Sequence, residues 1–154
     1  IDLDAIVEQI SSPDVQQLFQ QNILPERIID ETGQSVAVEA LYQDAITTAR
    51  PQLLSLYEKT FNKHQLNALI FPTSVIVAPL ANEQVSSIEN FQRLIRNTDP
   101  GSNIGLPGLS LPIGYGTKSK LPVGLEIDGL PNTDHDILSI GQVLEQIFSS
   151  LNHR

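Results

Sequence analysis

The chain has 154 residues and carries 9 basic against 18 acidic side chains, a net charge of −9. That balance argues against a nucleic-acid partner, which needs clustered Lys and Arg to meet phosphates, and 5% aromatics with no Trp argue against a base- or sugar-stacking platform. The absence of Cys excludes disulfides, thiolate nucleophiles and zinc–thiolate centres within this sequence.

Apolar residues make up 40% of the chain, enough for a core, so one domain or a large piece of one is expected. No apolar run approaches the ~20 residues of a membrane span, and the N-terminus has no basic, signal-like segment. A soluble, cytoplasmic protein with no membrane partner is the expectation. No Met occurs, so the sequence is expected to be processed, truncated or part of something longer.

Residues 3–21 have helical spacing in Leu3, Ile6, Val7 and Ile10. A restart is predicted at Ser12-Pro13, with Ser12 as cap and Pro13 in the first helical position. Asn22 to Gln34 reads as irregular, broken by Pro25 and Thr32-Gly33. A long helix is predicted from Val36 to Lys63, with Val38, Leu41, Ala45, Ile46 and Ala49 on one buried stripe. Pro51, which has no N–H, is expected to kink or split it. Asn67–Thr73 reads as a buried strand closed by Pro72, residues 74–81 as extended, and Ser87–Arg96 as a short helix.

The segment from Asn97 to Asp128 is dense in Pro and Gly, yet two strands are predicted there, over Gly108–Gly116 and Leu121–Leu130. Residues 117–120 form the turn between them. Alternation puts Val123, Leu125 and Ile127 on one face of the second strand and Gly124, Glu126 and Asp128 on the other. A final amphipathic helix follows, with Thr133 and Asp136 spaced as a capping box.

The residues assemble no self-sufficient catalytic centre. Ser110, in Gly108-Leu109-Ser110-Leu111-Pro112, misses the nucleophile-elbow pattern and is read as structural. Ser119-Lys120 sits in a polar turn, where Lys stays solvated and protonated. His64, His135 and His153 lack ligand spacing, so no metal is expected. Glu126 and Asp128 are read as a solvated sheet edge or as ion-pair partners. Gly101, Gly105 and Gly108, framed by Pro100 and Pro107, either line a pocket with backbone groups or form a tight crossover.

The ordered blocks Phe71-Pro72-Thr73, Ala78-Pro79, Asn103-Ile104-Gly105-Leu106-Pro107-Gly108-Leu109-Ser110-Leu111-Pro112-Ile113-Gly114 and Leu121-Pro122-Val123-Gly124-Leu125 resemble the C-terminal half of amidase signature hydrolases. Residues 95–103 and Leu125-Glu126-Ile127-Asp128-Gly129 resemble the mandelamide and indoleacetamide hydrolase branch. The resemblance implies an α/β fold, a mixed β-sheet flanked by helices, with residues 1–154 as a single partial domain. It implies amide hydrolysis by a Ser–cis-Ser–Lys triad carried in the other half, and no cofactor. No Gly/Ser-rich signature run occurs here, so no catalytic residue is expected in this chain, and it is expected to be inactive alone.

The resemblance further implies that Arg96, Thr98, Asp99, Pro100, Ser102 and Asn103, with Thr73, wall a substrate pocket. Alternatively, Arg96 and Asp99 pair as scaffolding. Glutamine-using amidotransferase relatives carry an acidic residue near Arg96, so a neutral or aromatic amide is the expected substrate. The expected partner is the missing N-terminal half, or a second copy through an exposed face. A ligand-binding or interaction module on the same half-fold is the alternative, and an amidotransferase subunit fragment the second.

Overall fold

The computed structural model describes residues 2–30, 32–82 and 84–152. His153 lies outside the described residues. Two short helices open the chain, α1 (Leu3–Glu8) and α2 (Pro13–Asn22), with Pro13 in the first turn of α2 as its fixed φ favours. Asp2 caps α1 by accepting from the Asp4 and Ala5 N–H groups.

The segment read as irregular contains a hairpin instead. β1 (Arg27–Ile29) pairs antiparallel with β2 (Ser35–Ala37). Asp30 Oδ1 shapes its turn, accepting from Thr32 N at 2.9 Å, Thr32 Oγ1 at 2.7 Å and Gln34 N at 2.9 Å. Strands of three residues are too short for alternation to show in sequence. β2 also takes Val36 and Ala37 out of the predicted helix, which begins at Val38.

That helix runs as α3 (Val38–Asp44), a π turn (Ala45–Ala49) and α4 (Arg50–His64). The break expected at Pro51 falls one turn upstream. A proline ring collides with the carbonyl four residues back, and widening the preceding turn relieves that collision. No residue of α3 is buried, and Leu41 is 41% exposed. Of the predicted buried stripe, Val38 and Ile46 are half-buried, while Leu41, Ala45 and Ala49 are exposed.

The main sheet has the order β3 (Leu69–Pro72), β5 (Pro122–Asp128), β4 (Gly108–Tyr115), and both pairings are antiparallel. A bulge between Pro112 and Gly114 bends β4 near the turn. In that turn Ser119 Oγ accepts from Leu121 N at 3.2 Å, so this hydroxyl serves the hairpin.

α7 (Asp134–Asn152) covers one sheet face. Ile127 is fully buried between Leu111 and Ile137, with Leu109, Ile140 and Leu144 around them. Gly141 lets the helix approach β4, because a Cβ there would collide with Leu109. The expected capping box does not form: Thr133 Oγ1 donates to Leu130 O at 2.7 Å, and the Thr133 carbonyl takes the first helical bond from Ile137 N.

β5 is the central strand, which overturns the reading of Glu126 and Asp128 as a solvated edge or ion pair. They are 8% and 4% exposed, and neither has a cationic partner among the described residues. Ile127→Ala is expected to lower the unfolding free energy by about 2–5 kcal/mol through cavity creation. Gly141→Val is expected to cost about 1–3 kcal/mol through overpacking. Urea unfolding of both variants checks these values.

Candidate functional site

The face opposite α7 carries the polar groups. Register places Leu69, Asp128 and Gly108 side by side, then Phe71, Glu126 and Ser110, then Gly124 opposite Pro112. Beyond the end of β3, Thr73 N donates to Gly124 O at 3.0 Å. Thr73 and Ser110 thus flank Gly124 from the two outer strands, with Thr73 Oγ1 2.5 Å from Ser110 Oγ.

These hydroxyls line a cavity of about 390 Å³ with Val75, Ile76, Val77 and Val123. Ser110, read from sequence as structural, is therefore a lining residue. The alternation that located Glu126 also predicts its cross-strand neighbour, once the register is known.

α5 (Ile88–Ile95) approaches the same end of the sheet, capped by Ser87 Oγ accepting from Asn90 N. Ser74 Oγ donates to Leu94 O at 3.1 Å, and Asn97 Nδ2 donates to Pro72 O at 2.7 Å. Asn97 was missed in sequence, where an Asn after a helix reads only as a loop residue. These two bonds pin the α5–α6 elbow beside Thr73.

The segment framed by Pro100 and Pro107 is largely a helix, α6 (Asp99–Ile104), ended by Gly105 in the left-handed region at φ 74°. Thr98 is its cap residue, and its hydroxyl donates back to Ile95 O at 3.2 Å. Pro100 fits the first turn. Asn103 Nδ2 donates to Asp99 O at 3.0 Å. Arg96, Asp99, Ser102 and Asn103 are exposed. The alternative Arg96–Asp99 ion pair does not form. The structure brings Thr73 and the elbow together, while Ser102 and Asn103 lie further along α6.

At the other end of the polar face, α6 rests on Asp128. A Cβ on Gly101 would stand 2.7 Å from Asp128 Oδ2. A Cβ on Gly108 would stand 2.9 Å from Glu126 Oε1 and 3.0 Å from Asp128 Oδ1. The two glycines make room for the carboxylates. Burial, with Glu126 beside it, pushes Asp128 up from 3.8 to about 6. Burial, with Asp128 nearby, also raises Tyr57 on α4. No cluster of three or more His, Cys, Asp or Glu suited to a metal ion occurs among the described residues.

Between pH 3.8 and about 6 the folded state holds a proton on Asp128 that the unfolded chain releases. This group's stabilising contribution is complete below pH 3.8 and is lost as pH rises through about 6. Asp128→Asn is expected to match the parent below pH 3.8 and to exceed its Tm by a few degrees above pH 6. Thermal melts across this range check it. A difference that does not grow with pH removes the assignment.

Among the described residues no helix is long and apolar enough to cross a membrane. The chain is 46% identical to mandelamide hydrolase of Pseudomonas putida over 147 residues, covering 96% of this chain and 29% of the relative. It is 39% identical to indoleacetamide hydrolase of Agrobacterium vitis, covering 92% of this chain and 29% of that relative. A crystal structure of an amidase superposes with a TM-score of 0.69 at 25% identity, covering 94% of this chain and 30% of the other. The chain thus spans about three tenths of the length of the curated relatives it matches. The Amidase family model matches residues 5–138, and the chain belongs to the amidase family.

Proposed function

We propose that this chain is the C-terminal part of an amide hydrolase. It supplies sheet, covering helices and one wall of the acyl pocket, and no catalytic residue. The observation that carries this reading is the amidase match over residues 5–138 in a sequence with no Gly/Ser-rich signature run. The wall consists of Arg96, Thr98, Asp99, Pro100, Ser102 and Asn103 with Thr73. The Asn97–Pro72 bond, which holds the elbow against the end of β3, supports it.

The substrate class is a neutral aryl-substituted acetamide. Two relatives are named for amides of that kind. Arg96, exposed and without an ion-pair partner among the described residues, offers no acidic grip for an amino group. The nucleophile, its activating base and the oxyanion donors come from the rest of the polypeptide.

That remainder is also the partner. Ile70 on the edge strand β3 is 61% exposed, and Leu138 and Val143 on α7 are 61% and 57% exposed. Apolar side chains displayed in this way mark surfaces that associate. A cytoplasmic setting accords with a chain that holds no Cys.

The 154-residue polypeptide alone is expected to hydrolyse no phenylacetamide, and to bind an apolar dye and self-associate in sedimentation. Turnover that survives repurification would overturn the absence of a catalytic residue. A monodisperse monomer with no dye binding would overturn the docking surface and favour the free-standing module.

A further inference from the structure

We propose that the buried carboxyl groups of Glu126 and Asp128 form a pH-sensitive latch on α6, which seats against them while Asp128 is protonated and lifts when both are ionised. α6 carries Asp99, Pro100, Ser102 and Asn103, so the latch moves residues of the pocket wall. That consequence rests on the amide-hydrolase reading. The latch itself rests only on the carboxyl groups and the helix.

The two groups share one face of the central strand and are 8% and 4% exposed. A Cβ on Gly108 would stand 2.9 Å from Glu126 Oε1 and 3.0 Å from Asp128 Oδ1. Those oxygens are therefore no more than about 6 Å apart, within reach of each other's charge. The other Asp128 oxygen, Oδ2, lies under α6, where a Cβ on Gly101 would stand 2.7 Å from it.

The elements packed around the pair supply no countercharge among the described residues. Register sets Leu69 and Gly108 beside Asp128, and Phe71 and Ser110 beside Glu126. α4 brings Tyr57, itself raised by burial and by Asp128, while its Arg50, Glu58, Lys59, Lys63 and His64 are exposed. α6 brings Gly101, with Asp99 exposed in its first turn, and Arg96 before it forms no ion pair. Two ionised carboxylates held here repel each other and lose hydration without compensation. Burial, with Glu126 beside it, accordingly pushes Asp128 up to about 6.

Relief comes at the weakest attachment. β5 is paired on both edges, so neither carboxyl group leaves its place without breaking the sheet. α6 meets Asp128 through a glycine, which contributes no side-chain packing to the contact. The chain is tied on either side of the helix, by Asn97 Nδ2 donating to Pro72 O at 2.7 Å and by Gly129 N donating to Pro107 O at 3.0 Å. These ties leave the six-residue helix as the movable piece between two fixed points. A cavity of about 250 Å³, lined by Ile46, Arg50, Pro51, Leu54 and Ile104, separates α6 from the π turn and the start of α4 and gives it room to shift.

The test is amide hydrogen exchange, read by mass spectrometry on the protein expressed from its full reading frame. It is run at about pH 5 and about pH 8 and corrected for the intrinsic pH dependence of exchange. Residues 101–106 are expected to open about tenfold more readily at the higher pH, because an ordinary carboxyl group is ionised at both values while Asp128 ionises between them. The amides of α7, on the opposite face of the sheet, are expected to keep their protection. Asp128→Asn is expected to hold α6 protected at both values, and Glu126→Gln to reduce the response.

Constant α6 exchange in the parent overturns the latch, as does an unchanged pH response in Asp128→Asn. Parallel loosening of α6 and α7 also overturns it, since that is a loss of global stability. If Asp128→Asn fails to fold, Glu126→Gln carries the same comparison, and an undiminished response there overturns the latch. Hydrolysis of phenylacetamide is read separately. A pH-dependent α6 without turnover keeps the latch and removes the hydrolase reading. Turnover with a constant α6 keeps the hydrolase reading and removes the latch.

Discussion

Ile127 has no exposed surface, and its burial beneath α7 fixes what the opposite face of β5 must hold. Successive side chains of a strand point to opposite faces, so anchoring Ile127 against Leu111 and Ile137 sends Glu126 and Asp128 the other way. Strand β5 is paired on both edges, which denies those carboxylates the solvent an edge strand would give them. A one-residue slip in register would put the carboxylates under α7 and the isoleucine against α6. The apolar contact under α7 and the acidic face beyond it are two consequences of one register.

The candidate site inherits its geometry from that strand. Along β5 the polar face runs from Asp128 through Glu126 to Gly124, and each position meets a different device. At Asp128 the neighbours are glycines, Gly101 on α6 and Gly108 on β4, whose missing side chains leave room for buried carboxylates. At Gly124 the glycine belongs to the central strand, and the space it leaves is filled by hydroxyls from either side. The elbow between α5 and α6 is held over this end by side chains bonded to backbone carbonyls, Asn97 to Pro72 and Ser74 to Leu94. Those bonds fix direction as well as distance, which a purely apolar contact does not.

Some of this was legible in the residues. The two strands either side of the turn at 117–120, the helix ending near Arg96 and the final amphipathic helix all follow from periodicity and from Gly and Pro punctuation. The face assignment of Ile127 against Glu126 and Asp128 was also correct, since pleating alone decides it. The β1–β2 hairpin was not legible, because three-residue strands leave no alternation to detect and its turn depends on Asp30 folding back on its own backbone. Nor was α6, where Pro100 and Gly101 look like loop residues until Pro100 occupies a first turn and Gly101 meets a carboxylate.

Sequence by itself determined the family, the acidic character, the strand faces and the lack of a nucleophile signature in this stretch, because each resides in residue identity or in local spacing. Tertiary structure decided which strand is central and what therefore becomes of Glu126 and Asp128, since burial depends on neighbours that lie far away in the chain. It also decided that Ser110 meets Thr73, a contact across 37 positions that exists only because Gly124 stands between them with no side chain of its own.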